Sequence, residues 1–468
     1  MNAIIDFLNN IFWGYVLIYG LLAVGIYFTV RLGFIQFRHF TEMFRCVMGS
    51  GETDKNGISP FAALTVSLAS RVGTGNIAGV AVALTLGGPG AIFWMWMVAL
   101  VGMATAYAES TLAQLYKVHG PDGMHRGGPA YYIARGLGQP WLAALFAVAL
   151  IVSFGLVFNA VQANSIAEAM AQSFGINKAL VGVVVAALAG IIIFGGIPQI
   201  ARAAEIIVPF MAGAYLLAAI IVLVMNISEV PGILTGIVKS AFGLQEAVGG
   251  VTGGVLAAMM NGIKRGLFSN EAGMGSAPNI AAVATPDPHH PSSQGFVQAL
   301  GVFIDTLLIC TATAVMILLA DVMPSAELTG VNLTQAALTD HFGGFGGIFV
   351  LVAIFFFAFT SIIGNYSYAE NAIVYLGAGT TGIMFMRLGA LAMVIWGAMQ
   401  AVATVFNFAD ASMGLMATIN LIAIVLLSGT ITYVTRDYLR QRAAGQVPKF
   451  HIAEHPELAQ GVNRDIWN

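Results

Sequence analysis

Long apolar runs separated by short polar stretches repeat from one end of the chain to the other, and within each run the apolar residues are continuous rather than alternating. A run of roughly 18 or more such residues spans ~30 Å of hydrocarbon as an α-helix, with its backbone polar groups bonded inside the segment. The pattern therefore predicts eleven crossings, at about 11–31, 60–86, 91–118, 139–172, 179–197, 201–226, 247–284, 295–320, 346–378, 384–405 and 411–434. A membrane β-barrel would show alternation over about ten residues at a time, which is absent. The expected fold class is an all-α polytopic membrane bundle forming one domain.

Two of the runs are interrupted by polar residues and glycine. Inside 60–86 the chain reads Ser70-Arg-Val-Gly-Thr-Gly-Asn-Ile77, and inside 247–284 it reads Lys264-Arg-Gly-Leu-Phe-Ser-Asn-Glu-Ala-Gly-Met-Gly-Ser-Ala-Pro278. Close helix packing accounts for the small pairs Gly75/Gly79, Gly249/Gly253 and Gly250/Gly254. It does not account for the polar groups, since an ion at mid-membrane costs ~2.5–3.5 kcal/mol unless it lines a cavity or is paired. With the first run set aside, the breaks fall in the first and sixth of ten crossings, so five spans separate them and the second unit is inverted relative to the first. This is the arrangement of secondary transporters built from two inverted repeats, with discontinuous helices meeting at the midplane. Free N–H groups at a half-helix start suit a carboxylate and unwound carbonyls suit a hard cation, so an anionic or zwitterionic substrate with Na⁺ is expected.

Composition agrees with the membrane reading. Only 9% of the 468 residues are charged and 58% are hydrophobic, with a mean hydropathy of +0.84, where soluble domains carry about a quarter charged residues. The first run follows a leader holding Asp6 but no Lys or Arg, and no small-residue cleavage site comes after it, so a retained helix is expected rather than a signal peptide. With the N-terminus outside, fourteen cations fall on inner loops, inner helix ends and the tail, among them Arg31, Arg45, Lys55, Lys117, Arg126, Arg387 and Arg440; only Lys178 and Lys239 fall outside. The positive-inside rule then gives N-out, C-in. The segment Arg31 to Arg45 mixes aromatics with cations and should lie along the inner interface. Cys46 and Cys310 stand in different segments and imply neither a disulfide framework nor a thiolate metal site. The tail after Tyr438 reads as short and polar, and His289-His290 as solvated.

The stretches Gly73-Thr-Gly-Asn-Ile-Ala-Gly79, Gly87-Gly-Pro-Gly-Ala-Ile-Phe-Trp-Met-Trp96, Met103-Ala-Thr-Ala-Tyr-Ala-Glu109, Gln162-Ala-Asn-Ser-Ile166 and Arg265 to Pro278 resemble the alanine/glycine:cation symporter family over essentially the whole chain. The resemblance implies a LeuT-type fold: an extra N-terminal helix at 11–31, five-helix repeats at 60–226 and 247–434, and a cytoplasmic tail at 435–468. It implies sodium-coupled uptake of a small neutral amino acid across a bacterial or archaeal inner membrane. Carried onto this sequence, the substrate site would involve Thr74, Gly75 and Asn76 on the first broken helix, with Ser269, Asn270 and Gly273 on the second and Gln162 beside them. The sodium site would use carbonyls near Ser70 and Gly73 and the hydroxyls of Thr360 and Ser361. An adjacent Thr-Ser pair elsewhere in a helix bonds back to the preceding turn. The chain departs from the family at Asn365, where alanine carriers commonly have Trp. Asn365 leaves more room and adds an amide, so a larger polar substrate such as glutamine stays open, as does a purely structural role.

Arg71 and Glu271 are expected to face each other across the site, with Glu109 as another partner for Arg71, either as a gating or coupling pair or as a structural ion pair. Asp305 and Glu370 are weaker candidates, each placed near a wet end. Trp94 and Trp96 read as interfacial anchors. No P-loop, catalytic-triad pattern or HExxH occurs, and the eight histidines show no metal spacing, so neither ATP drive nor an enzyme is supported. No cofactor beyond Na⁺ as coupling ion and no nucleic-acid partner is expected; one chain carries both repeats, so a monomer suffices. A proton-coupled or uncoupled carrier on the same scaffold stays open, and an ion channel would more naturally show pore-lining rings from an oligomer.

Overall fold

The computed structural model describes residues 2–49, 56–244, 251–325, 327–458 and 460–468. Lys55, Gly249 and Gly250 lie outside the described residues. Eight helices there are long and apolar enough to cross a membrane: Phe7–Arg31, Gly90–Leu115, Pro140–Phe174, Gly196–Met225, Pro291–Leu318, Gly344–Tyr375, Gly379–Ala398 and Val402–Leu426. The apolar helix Lys178–Ile193 is shorter, and each of the two interrupted runs folds as two helical pieces. Two stretches expected as loops, Val230–Ala241 and Gly330–Phe342, are short helices between the longer ones.

Local chemistry sets the helix starts. Ser59 caps the first broken helix by accepting from the Ala62 amide, with Pro60 at the first helical position, and His290 caps Pro291–Val302 in the same way through the Ser292 amide. The helices then pack as two groups. Gly90–Leu115 lies against both Val251–Asn270 and Pro291–Val302, while Phe158–Phe174 lies against Gly344–Tyr375 and Gly379–Ala398. Glycine permits the closest approaches: a Cβ on Gly262 would stand 2.3 Å from the Ala91 carbonyl oxygen, and one on Gly397 would stand 2.4 Å from the Ala160 backbone. Gly196–Met225 bridges from Pro60–Arg71 to Gly344–Tyr375. Backbone bonds Ile58 N to Val283 O (3.2 Å) and Thr285 N to Ile58 O (2.9 Å) tie the chain entering the first broken helix to the chain leaving the second.

Two expectations are corrected here. The tail is not merely polar: Phe450, Ile452, Ile466 and Trp467 are buried, the Phe450 amide donates to the His289 carbonyl, and the Ile452 amide donates to the Trp467 carbonyl. Lys117 stands over the Trp467 ring at 5.2 Å. His290 is not solvated but fully buried, its Nε2 at 3.4 Å from Asp437. Burial pushes the His290 imidazole down to about 4 despite the neighbouring carboxylate. Four apolar side chains scattered along a polar segment carry no periodic signal, so only their common docking surface makes them a cluster.

Candidate functional site

The first interruption is a true break. Helix Pro60–Arg71 ends at Val72, whose ψ of 85° leaves the helical region, and the chain resumes through a wide turn over Gly75–Gly79 into Val80–Gly87. The groups freed by the break are taken up by side chains: the Gly73 amide donates to Asn76 Oδ1 (2.9 Å) and the Thr74 amide to Gln162 Oε1 (2.9 Å). Thr74 Oγ1 is buried with no partner.

The second break follows Val251–Asn270. Glu271 adopts a φ of 60°, a left-handed conformation that costs a side-chain-bearing residue strain, and Gly273 and Gly275 turn the same way at 87° and 79°. Surrounding bonds hold Glu271 there. Its carboxylate accepts from Ser70 Oγ (2.7 Å) and Ser276 Oγ (2.6 Å). Ser70 Oγ also lies 2.6 Å from Asn365 Oδ1, and Asn365 donates to Asn159 Oδ1 at 3.2 Å.

The two breaks meet at a carboxylate that the sequence reading ranked low. Asp305 is fully buried in a widened turn, Phe303–Cys310, where it accepts from Asn76 Nδ2 (2.7 Å), Ser269 Oγ (2.9 Å) and Thr306 Oγ1 (2.7 Å). It is not near a wet end. Cys310 closes the cluster, its Sγ 3.3 Å from Asn76 Nδ2 and 3.2 Å from Ser269 Oγ. Among the described residues no cation forms an ion pair with Asp305. Its direct partners are hydroxyl and amide donors, and a bound cation would stabilise the charged form of such a buried carboxylate. Local turns of this wide kind often mark functional positions, and two of them, at Gly75–Gly79 and Phe303–Cys310, meet here.

Beside this cluster stands the hydroxyl pair. A Cβ on Gly73 would come within 2.2 Å of Ser361 Oγ and 2.8 Å of Gln162 Oε1, so no larger residue fits there. Ser361 Oγ donates to the Phe357 carbonyl at 3.0 Å, and Thr360 Oγ1 to the Phe356 and Phe357 carbonyls at 2.9 and 3.0 Å. Each hydroxyl spends its proton on the preceding turn and keeps oxygen lone pairs free for a hard cation.

Three expected roles change in the structure. Gly273 has its backbone groups engaged within the second break: its amide donates to Glu109 (3.2 Å) and its carbonyl accepts from Asn420 (2.9 Å). Glu109 does not pair with Arg71; it fills the concave turn of the second break, accepting from the amides of Gly273 and Gly275 (3.1 Å) and from Asn420 Nδ2 (2.7 Å). Arg71 forms no ion pair with Glu271 either. Its guanidinium donates to the Gln298 carbonyl at 3.2 Å, and its Nε and Nη2 are buried without partners. Residue spacing puts these charges near one another, but the turn at 271–275 aims Glu271 at two serines instead.

A stack of aromatic rings covers one side of the site. Phe268 lies against Gly75, stacks on Phe158 at 4.8 Å between centroids, and meets Phe406 at 5.5 Å. Phe406 also lines a cavity of about 250 Å³ with Ala78, Ser165, Glu168, Glu327 and Val331. Arg265 lies over both Phe268 and Phe406 and binds Asp410 through two bonds of 2.8 and 2.7 Å. At the opposite end, Arg126 joins Asp122 (2.5 Å) and Glu370 (3.2 Å) at the rim of a cavity of about 840 Å³ that also contains Arg387 and Pro198. The aromatic stack carried no signal in the sequence, while Asp305, a carboxylate in an otherwise apolar run, was a candidate there but ranked low.

The sequence profile of the sodium:alanine symporter family matches residues 1–452. Among similar proteins, the amino-acid carrier protein AlsT of Bacillus subtilis is 49% identical over 466 residues, spanning 100% of this chain and 97% of AlsT. The sodium/alanine symporter AgcS of Methanococcus maripaludis is 40% identical over 446 residues, 93% of this chain and 97% of AgcS. Among solved structures, MhsT in complex with L-phenylalanine superimposes with a TM-score of 0.55 at 15% identity, covering 82% of this chain and 93% of that one. That likeness shows the LeuT-type fold.

Proposed function

Because the chain belongs to the sodium:alanine symporter family, it is a sodium-coupled amino-acid symporter of the membrane and not an enzyme, and we propose that substrate and ion bind together where its two broken helices meet. The observation that carries this reading is the Asp305 cluster, in which donors from both breaks converge on one buried carboxylate that forms no ion pair among the described residues.

The amino acid's carboxylate takes the amides at Thr74 and Gly75, displacing Gln162 Oε1, which now occupies the Thr74 amide at 2.9 Å. Thr74 Oγ1 and Asn270 Nδ2, both buried without partners, supply further contacts, with Asn76 and Ser269 fixing the wall. Sodium is held by the carbonyls of Ser70 and Gly73 and the hydroxyls of Thr360 and Ser361, and the Asp305 charge lowers the cost of bringing cations into the site. Asn365 acts as a wall, since its amide already bonds Ser70 and Asn159. The substrate is then a small neutral amino acid, alanine or glycine first, with glutamine the largest that the room at Asn365 favours. Gly273 contributes by shaping the turn, not by contact.

The units 60–226 and 247–434 are the two inverted repeats, with the N-terminus outside and the C-terminus in the cytoplasm of a bacterial or archaeal cell. The aromatic stack under Arg265 and Asp410 is the outer lid, and Arg126 with Glu370 lies on the inner path. Rocking of the group containing the broken helices against the group containing Gly344–Tyr375 exposes the site to each side in turn. Binding linkage requires ion and substrate to raise each other's affinity by the same factor.

Proton coupling is the second reading, favoured by Glu271, a buried carboxylate bonded to two serine hydroxyls and in an ion pair with no cation among the described residues. Uptake of labelled alanine, glycine, serine and glutamine into proteoliposomes decides between the readings. An imposed Na⁺ gradient should drive concentrative, saturable uptake, and a pH gradient of equal size should not. Accumulation under the pH gradient alone, or flux needing neither gradient, would overturn the sodium reading.

A further inference from the structure

The helix Phe7–Arg31 stands outside both repeats, so a transport cycle built from the repeats alone assigns it no task. Its contacts lead to the outer lid. Trp13 is buried, and its indole Nε1 donates to the backbone carbonyl of Asp410 at 3.1 Å. Two neighbours extend the seam: Asn9 Nδ2 donates to the Asn407 carbonyl at 3.2 Å, and Phe12 fills the space beside Gly414, where a Cβ would stand 2.8 Å from its ring. Asn9, Phe12 and Trp13 thus run along Val402–Leu426 for two turns.

Asp410 is the centre of the lid's charge cluster. Its carboxylate binds Arg265 bidentately and Lys264 Nζ at 2.6 Å. Lys264 Nζ in turn lies over the Trp13 ring at 5.5 Å. Trp13 therefore touches the lid twice, through the backbone of the acid and through the face it gives to one of the two cations. Arg265 is the cation stacked on Phe268 and Phe406, and Phe406 also lines the cavity of about 250 Å³. The helix is locally widened at Phe12–Val16, where Trp13 makes these contacts.

We propose that the N-terminal helix is a brace for the outer lid: Trp13 holds Asp410 where its carboxylate bridges Lys264 and Arg265, and so sets how firmly the aromatic stack stays shut. Trp13 is a positioning residue, acting through Asp410 and touching neither substrate nor ion. The inference rests on the reading of the stack as the outer lid.

The native Cys310, buried beneath the lid beside Asn76 and Ser269, serves as the reporter once Cys46, bonded to Tyr438 away from the site, is replaced by Ser. The full-length carrier in proteoliposomes is labelled from outside with a membrane-impermeant methanethiosulfonate, in saturating Na⁺. Trp13→Ala should speed labelling of Cys310 about fivefold, the factor that one lost hydrogen bond or cation–π contact carries. Trp13→Phe keeps the ring but loses the N–H and should fall between Trp13→Ala and the parent. Asp410→Asn weakens the lid directly and should speed labelling at least as much. Adding Trp13→Ala to Asp410→Asn should then add less than it does alone, because both act through one residue. If Asp410→Asn speeds labelling while Trp13→Ala and Trp13→Phe leave it at the parent rate, the brace is overturned and the lid stands. If Asp410→Asn itself changes nothing, the lid reading fails, and the brace with it. Should Trp13→Ala not fold, Trp13→Phe and Lys264→Met carry the same test, and parent-like rates in both would overturn the proposal.

Discussion

Replacing Asp305 by Asn changes one charge and almost no volume, and the structure sets what that should do. The carboxylate accepts from Asn76 Nδ2 at 2.7 Å, Ser269 Oγ at 2.9 Å and Thr306 Oγ1 at 2.7 Å. An asparagine oxygen can keep the bond from Asn76, while its NH₂ faces two hydroxyls that rotate to accept. The bond count survives, and only the charge assistance is lost, about 1 kcal/mol of stability. The effect on a cation is larger. For scale, a unit negative charge about 4 Å from a cation is worth about 4 kcal/mol at an effective dielectric of 20, and the attraction falls with separation and with desolvation. Even half of that raises the sodium concentration for half-maximal uptake about 30-fold. The assay is initial-rate alanine uptake into proteoliposomes against Na⁺ concentration, beside thermal unfolding of the purified variant in detergent. Asp305→Asn should melt close to the parent and need far more sodium. An unchanged sodium requirement would refute the argument that this carboxylate supplies charge to the ion. A collapse of the melting temperature with the sodium requirement intact would make the cluster a structural joint.

Four other outcomes follow. Glu109→Gln sets an NH₂ against amides of the turn at Gly273 and Gly275 and leaves a buried donor unpaired, so unfolding measured by thermal melting should lose about 1–3 kcal/mol. Ser361→Ala combined with Thr360→Val removes the two hydroxyl oxygens and should raise the sodium requirement about tenfold at nearly constant maximal rate, read from the same sodium titration. Glu370→Gln leaves Arg126 buried with Asp122 as its remaining acid partner and should cost about 3 kcal/mol, whereas the double variant with Arg126→Gln should recover part of the loss, a difference a double-mutant cycle of melting curves will show. The docked tail should respond to acid. Burial holds His290 at about 4 against an ordinary 6.5, so its contribution is fully present above pH 6.5 and falls away as pH drops toward 4, by roughly 3 kcal/mol in all. Burial acts the other way on Asp437, but hydrogen bonds from His290 and Gln441 hold its carboxyl down to about 2, so its contribution is lost at still lower pH. Protease sensitivity of the tail between pH 7 and pH 4 should rise in the parent and be flat in His290→Gln.

Much of the fold was legible because the membrane enforces it. Backbone groups in hydrocarbon must bond within their own segment, so a continuous apolar run is a helix, and a glycine-rich polar interruption is a break whose freed groups need partners. That logic located Thr74, Asn76 and Ser269 without any knowledge of contacts, and it placed the breaks five spans apart, whereas Thr360 and Ser361, inside an unbroken helix, were singled out only through the family resemblance. It could not pair the charges. Arg71, Glu109, Glu271 and Asp305 all looked like buried ions in need of partners, and spacing alone favoured joining opposite signs. The left-handed turn at Glu271 and the amides of Gly273 and Gly275 supplied neutral donors instead, which no one-dimensional pattern reports.

The sequence by itself determined the membrane, the number and place of the helix breaks and the kind of ligand such breaks attract, since each follows from which residues hydrocarbon tolerates in a row. Only the tertiary structure decided which carboxylate stands at the junction, that Glu109 is spent on the second break, and that Trp13 of the added helix reaches Asp410. Those are relations between residues up to about four hundred positions apart, fixed by helix rotation and by turns a few residues long. A rotation of one position on a helix swings a side chain by about 100°, from one neighbour to another, while leaving the hydropathy of the run unchanged.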